Sequence, residues 1–142
     1  MKKILSIFLI VLIGLNLVAC GSQEKYNSLA VAYKDGTYTG QSSKDDRGGY
    51  IKVEIIVKDS KIESAIMENI DNDGKEKDET YGQSQNEGLY KIAQQAINLA
   101  KSYPDELVKK GSPEAVDVIS GATESYTQFI EACDIALDQA KQ

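Results

Sequence analysis

Ile51-Lys52-Val53-Glu54-Ile55-Ile56-Val57-Lys58-Asp59-Ser60-Lys61-Ile62-Glu63-Ser64-Ala65-Ile66-Met67-Glu68-Asn69-Ile70 is the stretch that decides the fold. Ile51, Val53, Ile55 and Val57 alternate with Lys52, Glu54, Ile56 and Lys58, the period of a strand with one buried face. Asp59-Ser60 forms a turn, and the returning arm sets Ile62, Ile66 and Ile70 on one face. The stretch predicts an antiparallel hairpin.

Upstream, Asp35-Gly36-Thr37-Tyr38-Thr39-Gly40 joins turn residues to β-formers and predicts a first strand over 37–42. Residues 44–49 form a polar loop. Its Arg47, the one arginine, reads as a solvated cation, although it could meet a phosphate. Downstream, Asn69, Asp71 and Asp73 fall at alternate positions of a calcium-type loop. Thr80 stands where the bidentate glutamate belongs, and a strand precedes the loop instead of a helix, so it is read as a turn. Residues 75–79 read as a solvated connection of mixed charge.

Ser84 and Glu87 fit a capping box, and Leu89, Ile92, Ala93, Ala96, Leu99, Ala100 and Tyr103 follow a helical period. Pro104 ends that helix and opens a short second one through Lys110, closed by Gly111. A short strand is predicted over 116–119. A last helix follows over 125–141, with Phe129, Ile130, Cys133, Ala136, Leu137 and Ala140 on one face. The elements give an α+β class: a small antiparallel β-sheet packed with two main helices.

Between that last strand and helix lies Asp117-Val118-Ile119-Ser120-Gly121-Ala122-Thr123. An apolar pair runs into a turn of small residues, and Gly121 permits close backbone approach. Thr123 presents a hydroxyl at a helix start, where unpaired N–H groups and a partial positive charge favour a phosphate. The other reading is a plain turn, with Ser120, Thr123 or Ser125 capping the next helix.

The run resembles the D-x-x-S/T-G-A-T motif of FMN-binding domain proteins. These include the flavin-bearing subunits of sodium-pumping quinone reductases and Rnf-type complexes, and small exported lipoproteins. Asp35-Gly36-Thr37-Tyr38-x-Gly40 and the charged element from Asp71 to Glu79 resemble further parts of that family. The resemblance implies that FMN is the cofactor and that Thr123 carries it as a phosphoester. A separate flavin transferase, with FAD as donor, would install it and read Asp117. Ser120, Gly121 and Ala122 would complete the site. With no tryptophan in the chain, at least one of Tyr38, Tyr81 and Tyr126 is expected against the flavin ring.

The N-terminus sets the compartment. Met1-Lys2-Lys3 precedes an apolar run that ends in Leu17-Val18-Ala19-Cys20, too short for a spanning helix and closed by small residues. Leu-Val-Ala-Cys resembles the lipobox of bacterial lipoproteins. The expected organisation is a signal peptide over 1–19, a flexible tether over 20–32 from lipidated Cys20, and an FMN-binding domain over 33–142. The protein is then expected on the cell membrane, lipid-anchored and facing outside the cytoplasm.

The net charge of −6 becomes more negative once Lys2 and Lys3 leave with the leader, and it disfavours nucleic acid as a partner. No histidine is present. That removes imidazole metal sites and Ser-His catalysis, and a single cysteine besides Cys20 leaves no intrachain disulfide. Three functions remain. One is an electron-carrier flavoprotein served by a membrane redox partner, rather than a catalyst with its own substrate. The others are a module binding flavin or another small ligand non-covalently, and a structural surface lipoprotein.

Overall fold

The computed structural model describes residues 33–141. The signal peptide over 1–19, Cys20 and the tether over 20–32 lie outside the described residues. No helix among the described residues is long and apolar enough to cross a membrane.

Three antiparallel strands form the sheet in the order β1-β2-β3: β1 Gly36–Gln41, β2 Tyr50–Lys58 and β3 Lys61–Ile70. The hairpin turn is the two residues Asp59 and Ser60, at φ 50° and 60°. Positive φ at both positions gives the turn whose twist matches the flanking strands. Ile51, Val53, Ile55 and Val57 are buried, as their alternation predicts.

The third strand departs from its simple alternation. Val57 pairs with Ile62, but Ile56 pairs with Ser64, so Glu63 is an extra residue in the ladder. One inserted residue moves every following side chain to the opposite face. Ala65 and Met67 therefore turn inward opposite Ile55 and Val53, while Ile66 stands opposite Glu54 on the outer face, 58% exposed. Ile70 is buried where the chain returns beside it through the Ile70–Glu76 bridge.

Among the described residues three α-helices accompany the sheet: α1 Glu87–Ala100, α2 Tyr103–Lys110 and α3 Thr123–Asp138. The N-cap of α1 is Asn86, whose Oδ1 accepts from Leu89 N at 3.0 Å, and not Ser84. Ser84 is taken up in the turn that runs from Tyr81, and asparagine caps as well as serine. Pro104 opens α2 and Gly111 closes it in the left-handed conformation, as the sequence predicts. No strand forms over 116–119; a single 3-10 turn, Pro113–Ala115, leads into extended coil.

The core lies between the inner face of the sheet and α2 and α3. Phe129, Ala132, Cys133, Ala136 and Leu137 of α3 meet the β2 isoleucines and valines, with Tyr103 and Leu107 of α2 beside them. Burial pushes the Cys133 thiol up, with Asp134 adding to the effect, so it is a packing group. Helix α1 packs against α3 more than against the sheet. Its period is apolar as predicted, yet Leu89 and Ile92 remain exposed toward its N-terminal end.

Candidate functional site

The turn before α3 is held by two tyrosines. Tyr103 is fully buried; its hydroxyl donates to Ala122 O and accepts from Ile119 N, both at 3.2 Å. Tyr126 donates to Val116 O at 3.1 Å, and its ring packs 5.7 Å from that of Tyr103. These bonds take main-chain groups that a strand would have paired with a neighbour, which is why 116–119 is coil. Burial raises the Tyr103 phenol, which the bond from Ile119 partly offsets, so it stays protonated and able to donate.

Gly121 has φ +92°, and a Cβ there would come 3.3 Å from Leu99 Cδ1 of α1. The turn thus rests on α1 through a residue whose conformation and contact both select glycine. Ala122 is the N-cap of α3, and no side chain caps that terminus. The first-turn N–H groups have no helical acceptor. Neither Ser120, Thr123 nor Ser125 fills the capping role that the plain-turn reading gives them. Thr123 is exposed at the first position of α3, and its carbonyl accepts from Thr127 Oγ1 at 3.2 Å.

The remaining predicted residues divide by position. Ser120 and Asp117 are exposed near Thr123, and Asp117 Oδ2 pairs with Lys110 Nζ at 3.2 Å. Tyr126 supports the turn. Tyr81 lies beside α1, where Gln94 Nε2 donates to its carbonyl at 3.0 Å, and its ring faces Lys77. Tyr38 is not brought to Thr123. Its strand neighbour Thr39 accepts from Gln139 at the far end of α3, and its own hydroxyl bonds Lys34 O. At ~1.5 Å per residue, α3 separates that end from Thr123 by roughly 24 Å.

A second group of polar contacts lies around the 44–49 loop. Lys77, read from sequence as a solvated charge, is buried against Asp45, with side-chain exposures of 10% and 7%. Asp45 Oδ1 accepts from Arg47 N and Gly49 N at 2.9 and 2.8 Å and so shapes the 44–49 loop, while Arg47 itself stays exposed. The Gly49 carbonyl receives Gln128 Nε2 of α3 at 3.0 Å, which ties this loop to the helix that begins at Thr123. In the 69–74 turn, Asp71 Oδ1 is occupied by the N–H groups of Asp73 and Lys75.

A recess of about 460 Å³ lies elsewhere, on the outer sheet face beside Ile66, Lys52 and Ile135, and no residue of the 117–123 motif lines it. The uncapped terminus of α3 at the glycine-dependent turn has free N–H groups of the kind that favour an anion such as a phosphate. The FMN-binding domain family matches residues 46–138. The chain belongs to the FMN-binding domain family. It is a flavin-binding protein, and FMN is its cofactor.

The crystal structure of the CPE2226 protein from Clostridium perfringens is similar to this FMN-binding domain. It is 29% identical with a TM-score of 0.62, over 76% of this chain and 88% of that one. A solution structure from Clostridium thermocellum is 28% identical over 77% of this chain and 93% of that chain, with a TM-score of 0.46. Among curated proteins nothing matches.

Proposed function

We propose that this chain is a lipid-anchored electron carrier on the outer side of the cell membrane, bearing FMN as a phosphoester on Thr123. The observation that carries the reading is the exposed Thr123 hydroxyl at a helix terminus that no side chain caps. An open hydroxyl is accessible to a flavin transferase. Its oxygen would form the new bond to the FMN phosphorus of FAD, the pyrophosphate bond would break, AMP would leave, and the hydroxyl proton would pass to solvent. The N–H groups of the first α3 turn would then face the phosphate, worth ~0.3–1 kcal/mol from the helix dipole. That is too little to retain a dilute cofactor outside the cell, and a covalent link removes the need.

Bound FMN supplies the electron chemistry, accepting electrons from a membrane redox partner and delivering them to an acceptor outside the cytoplasm. The chain's part is positional. Tyr103, Tyr126 and Gly121 hold Thr123 outward, and the exposed Asp117 gives the transferase a charge to read. The lipobox-like Leu17-Val18-Ala19-Cys20 supports the anchor and the compartment.

The test is to express the protein with a flavin transferase, denature it and filter it. Visible absorbance should stay with the chain and vanish in Thr123→Val. Colour that washes out of the wild type would identify a non-covalent flavin module instead. No colour at all would sink the carrier reading.

A further inference from the structure

Asn69 and Lys77 stand directly across from each other where the chain returns beside β3. Lys77 N donates to Asn69 O at 2.7 Å, next to the Ile70–Glu76 bridge. Directly opposed residues put their side chains on the same face of the ladder. For Asn69 that is the inner face, because its partner on β2 is the buried Ile51.

Asn69 is buried with an unmet acceptor, and Lys77, largely buried, has an ion pair with Asp45 but no hydrogen bond from its ammonium. Asn69 is 7% exposed and its Oδ1 has no hydrogen-bond partner. The nearest carboxylate oxygen to Lys77 Nζ is Asp45 Oδ2 at 3.7 Å, beyond hydrogen-bond length, and the ammonium otherwise lies 5.2 Å from the centre of the Tyr81 ring. An unmet buried amide oxygen costs about 1–3 kcal/mol, and the Lys77 ammonium has N–H donors left beyond its ion pair with Asp45. A group that offers a donor to Asn69 and an acceptor to Lys77 meets both.

The position of the pair suggests what that group is. A closed series of contacts joins it to the turn. Gly121 lies against Leu99 and Gln95, Gln94 bonds Tyr81, and the Tyr81 ring covers Lys77. Lys77 reaches Asp45 and Gly49, and Gly49 O receives Gln128, five positions along α3 from Thr123. Gln128 lies ~8 Å along the helix axis from Thr123. The pyrimidine edge of the flavin ring presents acceptor, donor and acceptor side by side.

We propose that Lys77 and Asn69 hold the pyrimidine edge of the flavin ring, Lys77 donating to a ring carbonyl and Asn69 Oδ1 accepting the imide N–H. The assignment rests on FMN attachment at Thr123. Reduction adds negative charge to that edge, so the ammonium stabilises the reduced cofactor and raises its potential.

The experiment uses full-length protein loaded by a transferase, with covalent loading confirmed by intact mass. Lys77→Met should keep the mass increment of covalent FMN, shift the visible absorption bands and lower the midpoint potential. A tenfold loss in the reduction equilibrium corresponds to about 30 mV for a two-electron couple. Lys77→Arg, which keeps the donor charge, should recover most of that shift. A structural role alone would alter stability while leaving potential and spectrum unchanged, and that result overturns the proposal.

Wild-type chain lacking flavin guards against a variant that does not fold. Riboflavin fluorescence should be quenched on binding, and 3-methylriboflavin, which lacks the imide N–H, should bind at least tenfold more weakly. Equal binding, or no binding of either, overturns the assignment. Absent flavin on Thr123 together with discriminating riboflavin binding would place the failure in the attachment reading and leave the edge contacts standing.

Discussion

Tyr103 shows how one hydroxyl can organise a functional turn. It donates to Ala122 O and accepts from Ile119 N, while its ring stacks on Phe129 with centroids 5.6 Å apart. Tyr103→Phe retains the packing and removes both bonds, leaving two main-chain groups poorly satisfied. The expected cost is about 2 kcal/mol, read from urea denaturation. Slower covalent flavin loading should accompany it, because the turn that presents Thr123 is loosened. Unchanged loading in a measurably destabilised variant would show that the turn needs no pinning. The motif itself was legible in Ser120-Gly121-Ala122-Thr123, since the left-handed Gly121 and the small Ala122 are local requirements that sequence records directly. The role of Tyr103 was not, because a buried aromatic on a helical period looks the same whether or not its hydroxyl is used. Lys77 escaped for a related reason: its burial depends on Asp45, a residue distant in sequence, and its neighbours Lys75 and Glu76 are solvent-exposed.

Helix α3 approaches β1 through a gap that only glycine leaves open. A Cβ at Gly40 would stand 1.9 Å from Ala132 O and 2.9 Å from Ala136 N, both main-chain atoms that cannot swing aside. Gly40→Ala should therefore drive α3 off the sheet at a cost of about 3 kcal/mol or more, seen as a lower thermal midpoint. A variant as stable as wild type would contradict this close packing. The glycine was visible in sequence as part of Asp35-Gly36-Thr37-Tyr38-x-Gly40, but its steric reason needed the partner helix. The inserted Glu63 was equally hidden, since a bulge leaves no mark on the alternation of Ile62, Ile66 and Ile70. The C-terminal half of α3 also carries a charge conflict. Burial, then Glu114 and Asp138, push the Asp134 carboxyl up, with Lys141 opposing. An acid whose folded pKa is raised favours the native state while protonated and loses that contribution as pH rises through the raised value. Asp134→Asn should thus melt higher than wild type at neutral pH, with the two midpoints converging in acid. A constant difference across pH would mean that ionisation of Asp134 is not its source.

At the scale of the molecule, the two ends of α3 point to opposite duties. Tyr33 bridges Lys141, and Lys34 N donates to Ala140 O at 2.7 Å, so the chain enters the domain beside the C-terminal end of α3. Thr123 is at the other end, roughly 24 Å away along the helix axis. A lipid on Cys20 would hold the entry end toward the bilayer and leave the flavin end pointing outward. Residues 20–32, read from sequence as a tether, span at most ~45 Å when extended, at ~3.4 Å per residue. That reach exceeds the length of α3, so with the chain anchored at Cys20 as proposed the domain would be able to turn its Thr123 end toward a membrane partner and then away from it. Deleting residues 22–29 cuts the reach to roughly 17 Å, shorter than the helix. In membranes supplied with a reductant for the redox partner, flavin reduction should then slow by tenfold or more. Reduction of the same variant by dithionite, and its covalent loading by intact mass, should match wild type. Cys20→Ser, which releases the protein from the membrane if Cys20 is the anchor, should abolish partitioning into the detergent phase. If the shortened tether is reduced by the membrane as fast as wild type, the flavin meets its partner without turning. The donor would then have to reach at least a helix length out from the bilayer.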